Sequence, residues 1–117
     1  MGLKDFLKRS VKIEVDLDRV RRQDRFVGVE VTPIDQASSR MPIRIAGEVQ
    51  RVRSVPRAGA PWLEICVNDG SADAMITFSG TKKIFGIEPG RALVLEGVAR
   101  RENGKLTLLN PAYTLLP

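Results

Sequence analysis

The chain has 117 residues, of which 43% are hydrophobic, and a formal net charge of +5. This length fits about one domain with one core and excludes a second full domain. No apolar run approaches the roughly 20 residues that a membrane-spanning helix needs. Charges among the first residues interrupt the apolar stretch of a secretory signal. We therefore expect a cytoplasmic protein with no membrane partner.

Side chains of the common catalytic and metal sites are scarce. The chain has one cysteine, Cys66, and no histidine, so it lacks an internal disulfide, a Cys/His zinc site and a Cys/His nucleophile pair. The carboxylates lie singly, and there is no nucleophile elbow or phosphate-cradling glycine loop. We predict a binding protein that is not an enzyme, with no catalytic residues, no metal site and no cofactor. Cys66 is expected to be a small, semi-buried strand residue.

The positive charge is unevenly distributed. Residues 1–39 carry eight basic and seven acidic side chains, whereas residues 40–117 carry eleven and seven. A positive surface attracts polyanions whatever their sequence. Ordinary solubilising charges would give the same net value, so the placement of the basic residues must decide between the two interpretations.

Residues 1–40 predict a helical or mixed extension that packs on the rest of the chain. Leu3, Phe6 and Leu7 recur at helical spacing, which indicates a short amphipathic helix over residues 2–9. Residues 11–17 alternate with period two and fit a strand.

Residues 17–27 favour a helix capped by Asp16 and ended by Gly28. Its apolar residues near one face are Leu17, Val20 and Val27. The arginines are interleaved with aspartates, which indicates first a solvated face and second a phosphate contact; they are Arg19, Arg21, Arg22 and Arg25. Residues 32–40 then form an extended or looped link.

Strand one is predicted over residues 42–55. Its alternation places Ile43, Ile45 and Val49 on one side and Arg44, Ala46 and Glu48 on the other. Gly47 in the middle of the strand indicates a bulge or sharp bend. Residues 56–61 then form a turn with proline at both ends.

Strand two is predicted over residues 62–68 and strand three over residues 73–78, separated by an Asp69-Gly70 turn. Alternation directs Leu63, Ile65 and Val67 inward and Trp62, Glu64, Cys66 and Asn68 outward. For Trp62, both outward base stacking and packing as a plug at one end of the fold remain open.

Residues 81–86 fit a single helical turn, and Pro89-Gly90 fits a type II turn before strand four at residues 91–101. Phe78 and Phe85 are expected in the core. The Asn103-Gly104 dipeptide predicts a tight hairpin into strand five at residues 105–109. Asn110-Pro111 ends that strand, and residues 112–115 extend it.

The order and spacing of several motifs resemble the OB-fold nucleic-acid-binding proteins of actinobacteria. These motifs are Ile45-Ala46-Gly47-Glu48-Val49, Asn68-Asp69-Gly70, Gly86-Ile87-Glu88-Pro89-Gly90-Arg91, Leu95-Glu96-Gly97-Val98 and Leu109-Asn110-Pro111-Ala112-Tyr113. A more distant resemblance is to the wedge domain of RecG-type helicases and to anticodon-binding OB domains of aminoacyl-tRNA synthetases. The resemblance implies a mainly β fold over residues 41–117: a five-stranded Greek-key OB-fold barrel with a helical turn between strands three and four.

The resemblance also implies binding of single-stranded or branched nucleic acid, DNA or RNA, on the outer face of strands one to three. The loops after strands one and four supply basic residues beside Trp62. The predicted binding residues are Arg44, Arg53, Arg57, Trp62, Arg100, Arg101 and Lys105. The alternative is a protein-interaction or scaffold module, whose apolar docking would resist salt, whereas phosphate binding weakens as salt rises.

Overall fold

The computed structural model describes residues 17–117 and shows a mainly β fold. The predicted helix at residues 2–9 and the alternating stretch at 11–17, apart from Leu17, lie outside the described residues. Residues 17–25 form helix α1. A short 3-10 helix, Ile34–Gln36, precedes six strands: β1 Pro42–Arg57, β2 Ala60–Asn68, β3 Asp73–Ser79, β4 Ala92–Glu102, β5 Lys105–Leu109 and β6 Ala112–Leu115. No helix within residues 17–117 has the length and apolar character needed to cross a bilayer.

Five of the strands close into a hydrogen-bonded ring in the order β1-β2-β3-β5-β4-β1. The closure depends on β1, which pairs with β4 through residues 42–48 and with β2 through residues 48–57. The β3–β5 pair is parallel and the other pairs are antiparallel. One long strand therefore serves both sides of the ring.

The irregularity in β1 lies between Val49 and Arg51, not at Gly47 where we expected it. Gly47 has another role, because a Cβ atom at this position would lie 2.9 Å from Cβ of Val67. Glycine thus permits close contact between β1 and β2, and the extra residue that bends the strand follows three positions later.

Alternating side chains fill the interior of the ring, as predicted. Ile45 and Val49 of β1 and Leu63, Ile65 and Val67 of β2 are fully buried. The other strands of the ring contribute Ala74, Ile76, Phe78, Leu93, Leu95, Ala99, Leu106 and Leu108 to the same core. The burial of Phe78 is thereby confirmed, and the intervening side chains of each strand lie on the outside of the ring.

Two tight hairpins connect strands of the ring. Asn103-Gly104 has φ values of 51° and 80°, and it joins Glu102 to Lys105 as predicted. Ala58-Gly59 has φ values of 48° and 79°. The predicted loop at residues 56–61 is therefore a two-residue hairpin, and its two prolines lie opposite each other within the β1–β2 pairing.

Residues 80–91 contain no helix, so the predicted helical turn at residues 81–86 is wrong. Gly86 has a φ of 85° and lies against Leu115, which interrupts any right-handed helical path. Phe85 consequently points outward and is 92% exposed, so its expected place in the core is also wrong. The predicted type II turn is confirmed: Gly90 has a φ of 92°, and the N–H of Arg91 donates to the Glu88 carbonyl.

The predicted extension of strand five is a separate strand, β6, which pairs antiparallel with β4. Asn110 has a φ of 49° and Pro111 is buried, so the chain bends sharply between β5 and β6. The Asn110 side chain accepts a hydrogen bond from the Ser79 N–H, which ties this bend to the end of β3.

Residues 17–31 pack on the outside of the ring, whereas Ile34 and Ala37 join the interior core. Helix α1 ends before Gly28, as predicted, and Phe26 is buried against Ala46, Ala92 and Val94. The apolar residues assigned to one face of this helix are exposed within the described part of the chain: Leu17, Val20 and Val27. Helix α1 contacts the ring through its arginines instead.

Candidate functional site

The register of the strands aligns outward-facing side chains into two rows on the outside of the ring. One row runs from β1 to β5 through Arg53, Glu64, Thr77 and Leu109. The next row runs from β1 to β4 through Arg51, Cys66, Met75, Thr107 and Arg100. The two rows form one continuous surface, on which Cys66 is buried beneath its neighbours.

A groove of about 500 Å³ follows this surface between the two hairpins, and we call it the outer groove. Its walls come from β1 to β5. The lining residues are Arg57, Trp62, Glu64, Met75, Thr77, Val98, Arg100, Glu102, Thr107, Leu108 and Leu109. The outer groove thus combines guanidinium groups, hydroxyls, apolar side chains, two carboxylates and one indole.

The Trp62 side chain forms part of the groove wall and does not belong to the buried core. It is half-buried, at the β2 end of the Ala58-Gly59 hairpin. The guanidinium carbon of Arg57 lies 4.9 Å from the centre of the indole ring. This cation–π contact orients the Arg57 side chain along the groove and covers part of the indole.

Glu64 holds two of the predicted binding residues. Arg53 Nη2 donates to Glu64 Oε2 at 2.7 Å, and Arg57 Nη2 donates to Glu64 Oε1 at 2.9 Å. The hydrogen bond from Arg53, together with the two positive charges, holds the pKa of the Glu64 carboxyl below its ordinary value, although partial burial acts in the opposite direction. Both guanidinium groups are therefore positioned, and partly neutralised, by one carboxylate.

The structure separates Arg100 from Arg101. Arg100 faces the outer groove, whereas the Arg101 guanidinium donates to the backbone carbonyls of Ala37 at 2.9 Å and Gly104 at 3.4 Å. Consecutive residues of a strand point to opposite sides, so Arg101 does not line the outer groove. The alternation along strand four was therefore visible in the sequence and could have separated Arg100 from Arg101.

Arg44 also lies apart from the outer groove. Its Nε donates to Glu96 Oε1 at 2.7 Å, and its Nη1 donates to the Glu30 carbonyl. Lys105 is exposed beside the Asn103-Gly104 hairpin, opposite Glu102. Of the seven predicted residues, the outer groove brings together Arg57, Trp62 and Arg100, and Arg53 lies beside them on Glu64.

The other end of the outer surface is covered by α1. Glu48 of β1 is buried there, with its side chain 8% exposed. Arg25 Nη1 donates to Glu48 Oε2 at 2.6 Å, and Arg21 donates to both carboxylate oxygens at 3.2 and 3.3 Å. Arg22 Nε lies 3.9 Å from Glu48 Oε1. Arg21 and Arg25 are exposed, as a solvated face requires, but the prediction did not include the ion pairs of these arginines and Arg22 with Glu48.

The ion pairs determine the charge state of Glu48. Burial raises the pKa of the Glu48 carboxyl, but the hydrogen bonds and charges of Arg21 and Arg25 together act more strongly, and the pKa lies below its ordinary value. The same contacts raise the pKa of Arg21. Glu48 is thus a charged anchor for α1, and this part of the strand surface is closed to a ligand.

Sequence reasoning missed several residues of the outer surface. Met75, Thr77 and Thr107 lie in the two rows, and the alternation of β3 and β5 was the signal that places them. Arg51 faces outward because of the extra residue after Val49, which simple alternation along β1 does not predict. The restraining role of Glu64 depends on its pairing with Arg53 across two strands, which the sequence alone does not fix.

No protein-family model matches the chain, and no curated protein matches it. The geometry of the outer groove is therefore the observation on which a function can be based.

Proposed function

We propose that the protein is an OB-fold domain that binds single-stranded or branched nucleic acid with little sequence preference. The ring order β1-β2-β3-β5-β4-β1 supports the fold assignment. The connection between β3 and β4, which lacks the implied helical turn, is a departure from it. The observation that carries the function is the outer groove, in which one accessible indole lies among basic side chains from both hairpins.

Phosphates supply most of the binding energy in this proposal. The basic side chains on the surface are Arg51, Arg53, Arg57, Arg100 and Lys105, against the carboxylates of Glu64 and Glu102. Each phosphate neutralised by a guanidinium or ammonium group releases counterions, so affinity falls as salt rises. A base stacked on Trp62 adds about 1 to 3 kcal/mol.

The low sequence preference follows from the same basic side chains and indole. Stacking on an indole accepts every base, because each base has a π face. Guanidinium groups that bind phosphates carry no base information. The neutral hydroxyls in the groove, those of Thr77 and Thr107, donate or accept and so discriminate weakly between bases.

A titration of Trp62 fluorescence tests the proposal, because Trp62 is the single tryptophan. Single-stranded DNA, single-stranded RNA and duplex DNA are added at low and at moderate salt. We expect the single strands to quench the emission at low salt and moderate salt to reverse the quenching. Unchanged emission with all three polymers at low salt, together with no change in the anisotropy of a labelled strand, would reject the function.

The double variant Trp62→Ala, Arg57→Ala tests the site, with binding followed by the anisotropy of a labelled oligonucleotide. Loss of the stacked base and of one cation is expected to lower affinity at least about tenfold. Arg19→Ala is the charge-matched control, since Arg19 is exposed on α1 and does not line the groove. Wild-type affinity in a folded double variant would exclude this site.

A protein-interaction module is the second candidate. Val98 and Leu109 are exposed apolar side chains in the lining of the outer groove, and an apolar partner would contact them. In this case, binding would change little with salt.

A further inference from the structure

A second depression lies beside the outer groove, on the other side of β4. Its volume is about 720 Å³, and we call it the β4 cleft. It is lined by Ser39, Arg40, Val98, Arg100, Arg101 and Glu102. Val98, Arg100 and Glu102 line the outer groove as well. The two depressions therefore join across the outward-facing side chains of β4, and a ligand leaving one enters the other.

The backbone fixes Arg40 at this position. Its N–H donates to the Ala99 carbonyl of β4 at 2.6 Å. Its φ is 64°, in the left-handed region that residues with a side chain seldom adopt. Arg40 is thus fastened directly to β4, one residue from Arg100, before β1 begins.

The arginines of the two depressions differ in what already binds them. Arg53 and Arg57 share the Glu64 carboxylate, so a phosphate must displace that carboxylate. Among residues 17–117, the guanidinium groups of Arg40 and Arg100 have no ion pair or hydrogen-bond partner. A charge-assisted bond from these two groups to a phosphate breaks no existing pair.

Arg101 completes one wall of the cleft without competing for a ligand. Its guanidinium donates to the carbonyls of Ala37 and Gly104, which anchors the segment before β1 to the Asn103-Gly104 hairpin. Glu102 is the one carboxylate among the residues that line the cleft. The β4 cleft therefore keeps an excess of positive charge, and its strongest unengaged donors are Arg40 and Arg100.

We propose that the β4 cleft is a phosphate-binding subsite for the same single strand of nucleic acid that occupies the outer groove. This inference rests on the proposed function. A strand stacked on Trp62 crosses β4 over Val98, which is exposed and apolar and contacts a sugar or base, and its next phosphates bind Arg100 and Arg40. A long strand uses both depressions, whereas a short one is held by the outer groove alone.

The test compares homopolymeric single-stranded DNA of about 4 and about 16 nucleotides, the range of site sizes of single OB-folds. Arg40→Gln is measured beside wild type and beside Arg19→Gln, which removes the same charge from α1. For the long strand, we expect Arg40→Gln to lower affinity about fivefold. The slope of log affinity against log salt is expected to fall by about 0.7, the value for one lost phosphate contact on a single strand. The short strand and the Arg19→Gln control are expected to behave as wild type.

The outcomes separate the two proposals. If the long strand binds Arg40→Gln and wild type alike, with one salt slope, while the Trp62→Ala, Arg57→Ala variant binds weakly, the β4 cleft is rejected and the proposed function stands. An equal loss for both strand lengths would assign Arg40 to the primary groove and overturn the subsite. No binding by wild type of either strand, as DNA or as RNA of the same lengths, would reject both proposals. Arg40→Asn provides a second variant if Arg40→Gln fails to fold, because asparagine tolerates the positive φ of this position and Arg40 does not line the outer groove.

Discussion

Two of the arginine-bound glutamates on the outside of the ring lie in different surroundings, Glu48 at its covered end and Glu64 at its open end. Both occupy outward positions of alternating strands, and both have a lowered pKa. Their surroundings differ, because α1 lies over Glu48, whereas Glu64 borders the outer groove. Arginine–glutamate pairs therefore anchor α1 to β1 at the covered end. At the open end, they leave the guanidinium groups accessible.

Sequence separation explains the difference. Arg21 and Arg25 are 27 and 23 residues from Glu48, so their ion pairs connect separate elements. Arg53 and Arg57 are 11 and 7 residues from Glu64, within one hairpin. The Arg53 and Arg57 side chains are 73% and 52% exposed, and surface pairs of this kind contribute about 0 to 1 kcal/mol. They are weak enough to exchange a carboxylate for a phosphate.

The largest expected effect is that of Glu48→Ala. Removing the carboxylate breaks the ion pairs of Arg21, Arg22 and Arg25, and a hydrogen bond between charged groups contributes about 1.5 to 3 kcal/mol. We expect the free energy of unfolding, measured by urea denaturation followed by circular dichroism, to fall by about 3 kcal/mol.

Glu96→Ala is the matched control for that experiment. Glu96 pairs with Arg44, and both side chains are about half exposed. Its replacement is expected to change the free energy of unfolding by less than about 1 kcal/mol. Equal losses in the two variants would contradict the anchoring role of Glu48.

Gly70→Ala is expected to have the next largest effect, through the same covered end. A Cβ atom on Gly70 would lie 2.6 Å from the Arg19 carbonyl oxygen of α1, and the φ of 93° is already unfavourable for alanine. We expect a loss of about 2 to 3 kcal/mol in urea denaturation, from backbone strain and overpacking together.

Gly80→Ala measures the cost of a positive φ in the absence of steric overlap. Gly80 has a similar φ of 81°, but a Cβ atom there would meet nothing within 4 Å. A loss of about 1 kcal/mol is expected. If Gly70→Ala costs no more than Gly80→Ala, helix α1 does not pack tightly on the turn after β2.

The ring was largely predictable from the sequence. Alternation located the core positions, and Asn103-Gly104 located the hairpin, because these signals depend on local geometry. Phe85 was misplaced, since its predicted burial required a helical turn that the conformation of Gly86 prevents. Apolar character alone does not decide burial in a connection between strands.

The covered end was not predictable. Charge interleaving along α1 is the usual pattern of a solvated helix, and nothing in the local sequence pairs Arg21 or Arg25 with Glu48. The positions of Arg44 and Arg40 likewise depend on partners far along the chain, Glu96 and Ala99. Tertiary pairing, not strand pattern, therefore decides which basic residues remain open to a ligand.

The pH dependence of stability distinguishes Glu48 from Glu64. A carboxyl whose folded pKa lies below its unfolded value, about 4.5, stabilises the fold above that pH and loses this contribution as pH falls through the folded value. We expect the urea midpoint to decline below about pH 4.5. Glu48→Gln is expected to flatten this decline more than Glu64→Gln, because three hydrogen bonds from arginines favour the Glu48 carboxylate and two favour that of Glu64. Equal flattening would mean that the contacts with α1 add nothing.

Glu64→Gln is expected to change stability least of these variants and to raise the affinity for nucleic acid. The Arg53 and Arg57 side chains are exposed, so the loss in urea denaturation is expected to be below about 1 kcal/mol. A neutral amide no longer competes with phosphate for the two guanidinium groups, and affinity for single-stranded DNA is expected to rise several-fold at low salt.

Glu102→Gln distinguishes release of the arginines from a general change of charge. Glu102 also lines the outer groove but holds no arginine among the described residues, so its replacement removes one negative charge and breaks no ion pair. A larger gain for Glu64→Gln than for Glu102→Gln would show that Glu64 restrains Arg53 and Arg57 specifically. Equal gains would show that only the net charge of the groove matters, because both substitutions change it by the same amount.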